Sequence, residues 1–167
     1  MSPHCFMGID PGLKGFISLI DENKLPVLSI EMPLTKGVKS EIDLKTLFDI
    51  LSINSNTIAL AVLEKVGAMP KQGVVSMFRF GEGYGAIKMA LAASKISYQL
   101  VTPRQWQGSM LAGENKQDLK SASIKVAKRL FPSVDMKRND RCKVDDHNKA
   151  DSLLMALYAR RLYYGKE

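Results

Sequence analysis

Phe6-Met7-Gly8-Ile9-Asp10-Pro11-Gly12, followed after Leu13-Lys14 by Gly15-Phe16-Ile17-Ser18-Leu19-Ile20, decides how this chain is read. An apolar run closes on an acid, Pro-Gly turns the chain, and a second apolar run returns beside the first. Asp21-Glu22-Asn23-Lys24 makes a polar turn into a third run, Val27 to Met32, so the opening is an antiparallel meander of three strands. A carboxylate at the end of a buried strand is costly unless a positive charge stands near it. Asp10 is therefore the first residue to ask about.

Further along, Ile42, Leu44, Leu47, Phe48 and Leu51 have amphipathic helical spacing, with Ser40 or Asp43 near the start. Ile58 to Leu63 is a continuous apolar run, the pattern of an interior parallel strand, and it too closes on an acid, Glu64. Gly73 to Ser94 is helical in spacing although Gly81, Gly83 and Gly85 interrupt it, which suggests close backbone packing or a ligand surface. Tyr98 to Val101 is a fifth strand. Thr102 and Pro103 offer a cap and a first helical turn. Lys116 to Leu130 reads as a basic amphipathic helix stopped by Pro132, 132–144 as a polar loop, and Asp146 to Tyr163 as the final helix. The element order βββαβαβαα is that of a ribonuclease H-like α/β fold, a five-stranded mixed sheet flanked by helices.

A chain of 167 residues with 46% hydrophobic and 25% charged residues, and no linker-like stretch, is expected to form a single domain over 1–167. No segment has the length and apolarity of a membrane span, and the N-terminus carries no signal-peptide pattern. A cytoplasmic location is expected, and an organellar one only if a presequence was trimmed. Cys5 and Cys142, with no second pair, suggest free thiols and no structural zinc site. The net charge of +7 is uneven: from Pro103 onward 14 lysines and arginines face 8 acids. A basic C-terminal third favours a polyanionic partner, although solvated lysines alone give many proteins such a balance.

Four potential metal ligands stand at the edges of these segments: Asp10, Glu64, His147 and Asp151. The last two are four residues apart, on one face of the final helix. Carboxylates converging in a basic chain point to a divalent cation, and two such ions can activate water and stabilise a leaving oxygen in phosphodiester hydrolysis. Magnesium takes oxygen ligands, so Asp10, Glu64 and Asp151 are the natural donors, with Asp10 on a central strand as the bridging one. His147 either ligates a metal or orients the attacking water, and Asp145 and Asp146 compete with it as caps or ligands. Taken singly, each has an ordinary reading: a turn residue, a strand-end charge, or a first-turn helix residue. Lys120 is suited to meet charge developing on a phosphate, or else belongs with Lys116, Lys125 and Lys128 to a solvated or phosphate-contacting face.

These residues resemble the RuvC-like Holliday-junction resolvases, in particular the branch of phage or bacterial members and the plant chloroplast enzyme. The matching pieces are Gly8-Ile9-Asp10-Pro11-Gly12 with Gly15, Glu64, Thr102-Pro103 with Trp106, Lys120-x-x-Ser123-x-x-x-Ala127-x-x-Leu130-Phe131-Pro132, and Asp145-Asp146-His147-Asn148-Lys149-Ala150-Asp151. They run in order over nearly the whole chain. The resemblance implies a homodimer that binds a four-way DNA junction and nicks two strands of like polarity, using magnesium or, in its place, manganese. It carries over Asp10, Glu64, His147 and Asp151 as metal-site residues, and Lys120 as the active-site lysine. Ser121 and Asn148 depart from the pattern.

Met69, Phe78 and Phe80 lie in the region that, by the same resemblance, meets the junction centre, where apolar side chains can wedge against unstacked bases. Such a stripe at helical spacing more often packs into a core, and that reading is the favoured one here. Lys116 and Lys125 are expected to touch the phosphate backbone. The alternatives are another ribonuclease H-like nuclease, acting on an RNA:DNA hybrid or branched DNA, and a junction-binding protein without catalysis. An actin-like nucleotide-binding domain would need a second phosphate loop and a longer chain.

Overall fold

The computed structural model describes residues 4–37, 40–67 and 73–165. Three strands, β1 (Cys5–Ile9), β2 (Phe16–Asp21) and β3 (Pro26–Glu31), form the meander, and helix α1 (Leu44–Asn54) leads to β4 (Ile58–Glu64). Helix α2 (Val74–Ala93) and strand β5 (Tyr98–Val101) follow, then α3 (Pro103–Met110), α4 (Leu119–Leu130) and α5 (His147–Tyr164). The sheet order is β3-β2-β1-β4-β5. β1 pairs antiparallel with β2 and parallel with β4, so the expected five-stranded mixed sheet is present with β1 at its centre.

Alternation along the strands sorts the side chains into two cores. Phe6, Ile20, Leu60 and Val62 face α3, α4 and α5, where they meet Trp106, Val126, Leu153 and Met155. Met7, Ile9, Ile17, Leu19, Ala61 and Leu63 face the other way, onto Leu47 and Leu51 of α1 and Ile87 and Leu91 of α2. Gly8 points to the first layer, and α5 lies directly on it. A Cβ there would stand 2.0 Å from the Ser152 carbonyl oxygen and 2.4 Å from the Ala156 nitrogen. Only glycine lets the helix backbone come this close. Ser18 of β2 fixes the same contact with a hydroxyl pair to Ser152 at 2.7 Å.

The helix caps explain most of the boundaries. Asp43, one of the two expected cap residues, accepts from the Thr46 amide, and Thr102 and Gln105 form a reciprocal capping box ahead of Pro103. Three expectations are corrected. The segment after Thr102 is a helix of its own, which makes the order βββαβαβααα. α4 begins at Leu119, not Lys116, because Asp118 caps it by accepting from the Ser121 amide at 3.1 Å and from its hydroxyl at 2.6 Å. Lys116 therefore sits in the preceding turn.

Helix α2 also differs from what its glycines suggest. It runs unbroken through its three glycines, and Gly81 and Gly85 face open space while only Gly83 is close to a neighbour, Ile42. Nor does its aromatic and methionine stripe fill a core: Phe78 is 68% and Met89 65% exposed, and only Ile87, Ala90 and Leu91 of α2 are buried. The helix meets the molecule through its C-terminal half. No helix among the described residues is long and apolar enough to cross a membrane.

Candidate active site

Register brings the first two acids together. Ile9 pairs with Leu63 in the parallel β1–β4 ladder, so Asp10 and Glu64, one residue further on, leave adjacent strands side by side. Alternation from Phe6 and Gly8, and from Leu60 and Val62, turns both toward α5. The N-terminal turns of α5 then supply His147, Asn148 and Asp151, while α4 supplies Lys120 and Ser123, and α3 supplies Pro103 and Gln107. These residues line one cleft of about 370 Å³, with Leu119 and Met155 as its apolar wall. All five residues expected to act in catalysis are in it.

The electrostatics are those of crowded acids in a poorly solvated place. Burial, then the neighbouring Glu64 carboxylate, pushes Asp10 up to about 6, against a weak contact from the Gly12 amide at 3.5 Å. Burial pushes Asp151 up to about 7; the Ser123 hydroxyl opposes this, while Asp10, Glu64 and Asp146 add to it. Glu64 is also raised by burial, and the Trp106 indole N–H, donating to its Oε1 at 2.9 Å, counters that. His147 is held below its usual value, first by burial and next by Lys120, so its ring is neutral at pH 7.

One atom stands out. Asp151 Oδ1 is buried without a hydrogen-bond partner, a position in which a carboxylate oxygen is costly. A hard cation would satisfy it and would reverse the raised affinities for protons, so the donor set fits a divalent ion held by Asp10, Glu64 and Asp151. Among the described residues no three acidic, histidine or cysteine side chains close into a ready-made cage.

The remaining candidates fall elsewhere. Asp146 is committed: it caps α5 by accepting from the Asn148 amide at 2.8 Å and pairs with Arg138 at 2.6 Å. Asp145 pairs with Lys128 at 2.6 Å. Lys125 is not part of the cleft lining and pairs with Glu114 at 2.8 Å. Phe78 is on the exposed face of α2, and Phe80 stacks on Tyr84 and lines a separate cavity of about 770 Å³ with Leu13, Ile42 and Arg79. Met69 lies outside the described residues. Sequence reasoning did not assign roles to Trp106, Ser123, Gln107 or Arg138. Trp106 and Ser123 were legible as positions within the motifs but not as partners of Glu64 and Asp151.

The sheet order, the helical layers and a cleft at the ends of β1 and β4 define a RuvC-like fold of the ribonuclease H type. A T. thermophilus RuvC in complex with Holliday junction substrate superposes with a TM-score of 0.59 at 12% identity, over 97% of this chain and 96% of that one. A second Thermus thermophilus RuvC structure gives 0.55 at 16% identity, over 97% of each chain. No protein-family profile and no curated sequence matches.

Proposed function

We propose that this chain is a divalent-metal-dependent endonuclease that resolves four-way DNA junctions by symmetric phosphodiester hydrolysis, acting as a homodimer. The observation that carries the reading is the convergence of three desolvated carboxylates from β1, β4 and α5, with Lys120 beside them, in a single cleft. Desolvated acids gathered beside a lysine in one cleft are the constellation expected of a catalytic site. The likeness in fold to a RuvC bound to a Holliday junction supports the four-way junction as the substrate. On this reading the enzyme works in the cytoplasm.

Magnesium, with manganese able to replace it, would be held by Asp10, Glu64 and Asp151 and would supply an activated water and a sink for charge on the leaving oxygen. The protein's own part is positioning. Asp10 directly follows the central strand, and Trp106 fixes the rotamer of Glu64 from the buried layer behind it. His147, neutral at working pH, offers a ring nitrogen lone pair to an ion or to the proton of an attacking water. Lys120, in the first turn of α4, offers a cation to a phosphate oxygen entering the cleft.

The test is to incubate the protein and magnesium with a four-way junction, a flap, an RNA:DNA hybrid and a plain duplex. Paired symmetric nicks in the junction are expected, lost in Asp10→Asn and Glu64→Gln while both variants still bind the junction. Wild-type cutting by both variants would sink the site assignment. Preferential cutting of the hybrid would redirect the substrate, and binding without cutting by the wild type would leave a junction-binding protein.

A further inference from the structure

Arg138 lies in the loop between α4 and α5, outside the lining of the cleft. Its guanidinium nevertheless reaches three separate parts of the chain. Nε donates to Asp146 Oδ2 at 2.6 Å, Nη1 donates to Glu31 Oε2 at 2.8 Å, and Nη2 donates to the backbone carbonyl of Lys14. Cζ stands 4.8 Å from the centroid of the Phe16 ring, and the side chain is only 20% exposed.

Two of these contacts lead toward the cleft. Lys14 belongs to the tight turn that follows Asp10, a turn closed by the Gly15 amide donating to the Gly12 carbonyl. Asp146 is the cap of α5, and its other oxygen accepts from Asn148 in the helical turn that also carries His147. Its own amide donates to the Met136 carbonyl at 2.8 Å, which ties the loop back on itself next to Arg138. Glu31 ends β3 and anchors the fork from the sheet side.

We propose that Arg138 is a positioning residue that sets the spacing between Asp10 on the β1–β2 turn and His147 and Asp151 on α5. The inference rests on the nuclease reading above. Arginine is required because its planar fork serves three acceptors in fixed directions while its face stacks on Phe16; lysine, a compact point charge, can satisfy only part of that set. Arg138 touches no reacting atom and acts through the backbone that carries the acids.

The test compares wild type, Arg138→Lys and Glu31→Gln. Mn²⁺ binding to the DNA-free protein is read by calorimetry, kcat and KM on a four-way junction by single-turnover and steady-state cleavage, and exchange of the Asn148 amide by NMR. Arg138→Lys is expected to bind Mn²⁺ and to turn over about 10- to 100-fold less well, the range typical for residues that orient metal ligands, with KM unchanged and faster exchange at Asn148. Glu31→Gln, which weakens one anchor of three by removing its charge while leaving an acceptor, should show a smaller loss in the same two quantities and retains a readout should Arg138→Lys not fold. Wild-type Mn²⁺ affinity and kcat in either folded variant overturn the proposal, and so does a loss confined to KM, which would make Arg138 a phosphate contact. A wild type that binds Mn²⁺ in an Arg138-dependent way but cuts no junction upholds the positioning role and sinks the nuclease reading. A wild type that cuts junctions as fast as its Arg138→Lys variant does the reverse.

Discussion

Asp151 is the residue at which folding and chemistry are most directly opposed. A carboxyl with a folded-state affinity for protons above its unfolded one favours the folded state only while it is protonated. Both Asp10, raised to about 6, and Asp151, raised to about 7, are of this kind. At these two groups the native state binds more protons than the unfolded chain between the ordinary carboxylate range and pH 7, so their contribution to the stability of the metal-free protein should fall as pH rises through roughly 4 to 7, with His147, held below its usual value, opposing them at the upper end. Asp151→Asn should remove much of that dependence and stabilise the metal-free protein at pH 7.5 by on the order of 2 kcal/mol. Denaturant titration in EDTA at pH 5 and 7.5 checks it; a variant no more stable than wild type at pH 7.5 would mean that the carboxyl is well solvated. Divalent ion should stabilise the wild type far more than the variant.

Single residues also decide how much of the site could be read from the chain. Asp10, Glu64, His147, Asp151 and Lys120 were legible because each sits at a boundary that local chemistry marks: the end of an apolar run or the first two turns of a helix. Trp106 and Arg138 carry no such mark. Their partners are 42 residues away for the indole and up to 124 away for the guanidinium, and those distances close only when the layers pack. Ser121, a departure from the motif, is employed locally, donating to the Asp118 cap.

At the scale of elements, the contact of α5 with β1 governs the site, because it sets how far Asp151 lies from Asp10. Gly8→Ala puts a methyl group where the Ser152 carbonyl and Ala156 nitrogen already are, and neither backbone group can move without the helix. The cost expected is about 1–3 kcal/mol for overpacking, or more because backbone rather than a flexible side chain must give way. Thermal unfolding should show a lowered Tm, and junction cutting should fall further than junction binding. A Gly8→Ala protein with unchanged Tm would show that α5 can slide.

Strand positions were readable from apolar runs to within a residue or two, since alternation and turn chemistry act locally. The helices were less so. α4 started three residues late because the Asp118 cap competes with the basic pattern that begins at Lys116. The favoured expectation for α2, a core stripe, failed because helical periodicity reports that one face is apolar without reporting what covers it. Val74 is 85% and Val75 67% exposed, next to Phe78.

At the scale of the whole molecule, the two cores are unequal. The layer holding α3, α4 and α5 encloses the largest buried side chain, Trp106, and α5 is buried from Ala150 to Ala159 at most of its positions. The N-terminal half of α2 has no buried residue. Hydrogen exchange should therefore divide the molecule: amides in the middle of α5 and in β1 should exchange only through global unfolding, and those of Val74 to Phe80 through local opening of much lower free energy. Equal protection across α2 and α5 in the monomer would contradict this. The same experiment bears on assembly, because a homodimer formed through α2 should raise protection of that segment as protein concentration rises.

The serine pair Ser18–Ser152 sits at the middle of this arrangement, a polar contact of 2.7 Å inside an otherwise apolar layer, with Ser29 at 2.9 Å extending it to β3. Greasy surfaces can slip past one another in many alignments at nearly equal energy, whereas a buried hydroxyl is satisfied in very few. The serines thus act as a vernier for the docking of α5. They select one longitudinal setting of the helix out of several that shape alone would tolerate, and so the distance across which the acids face each other.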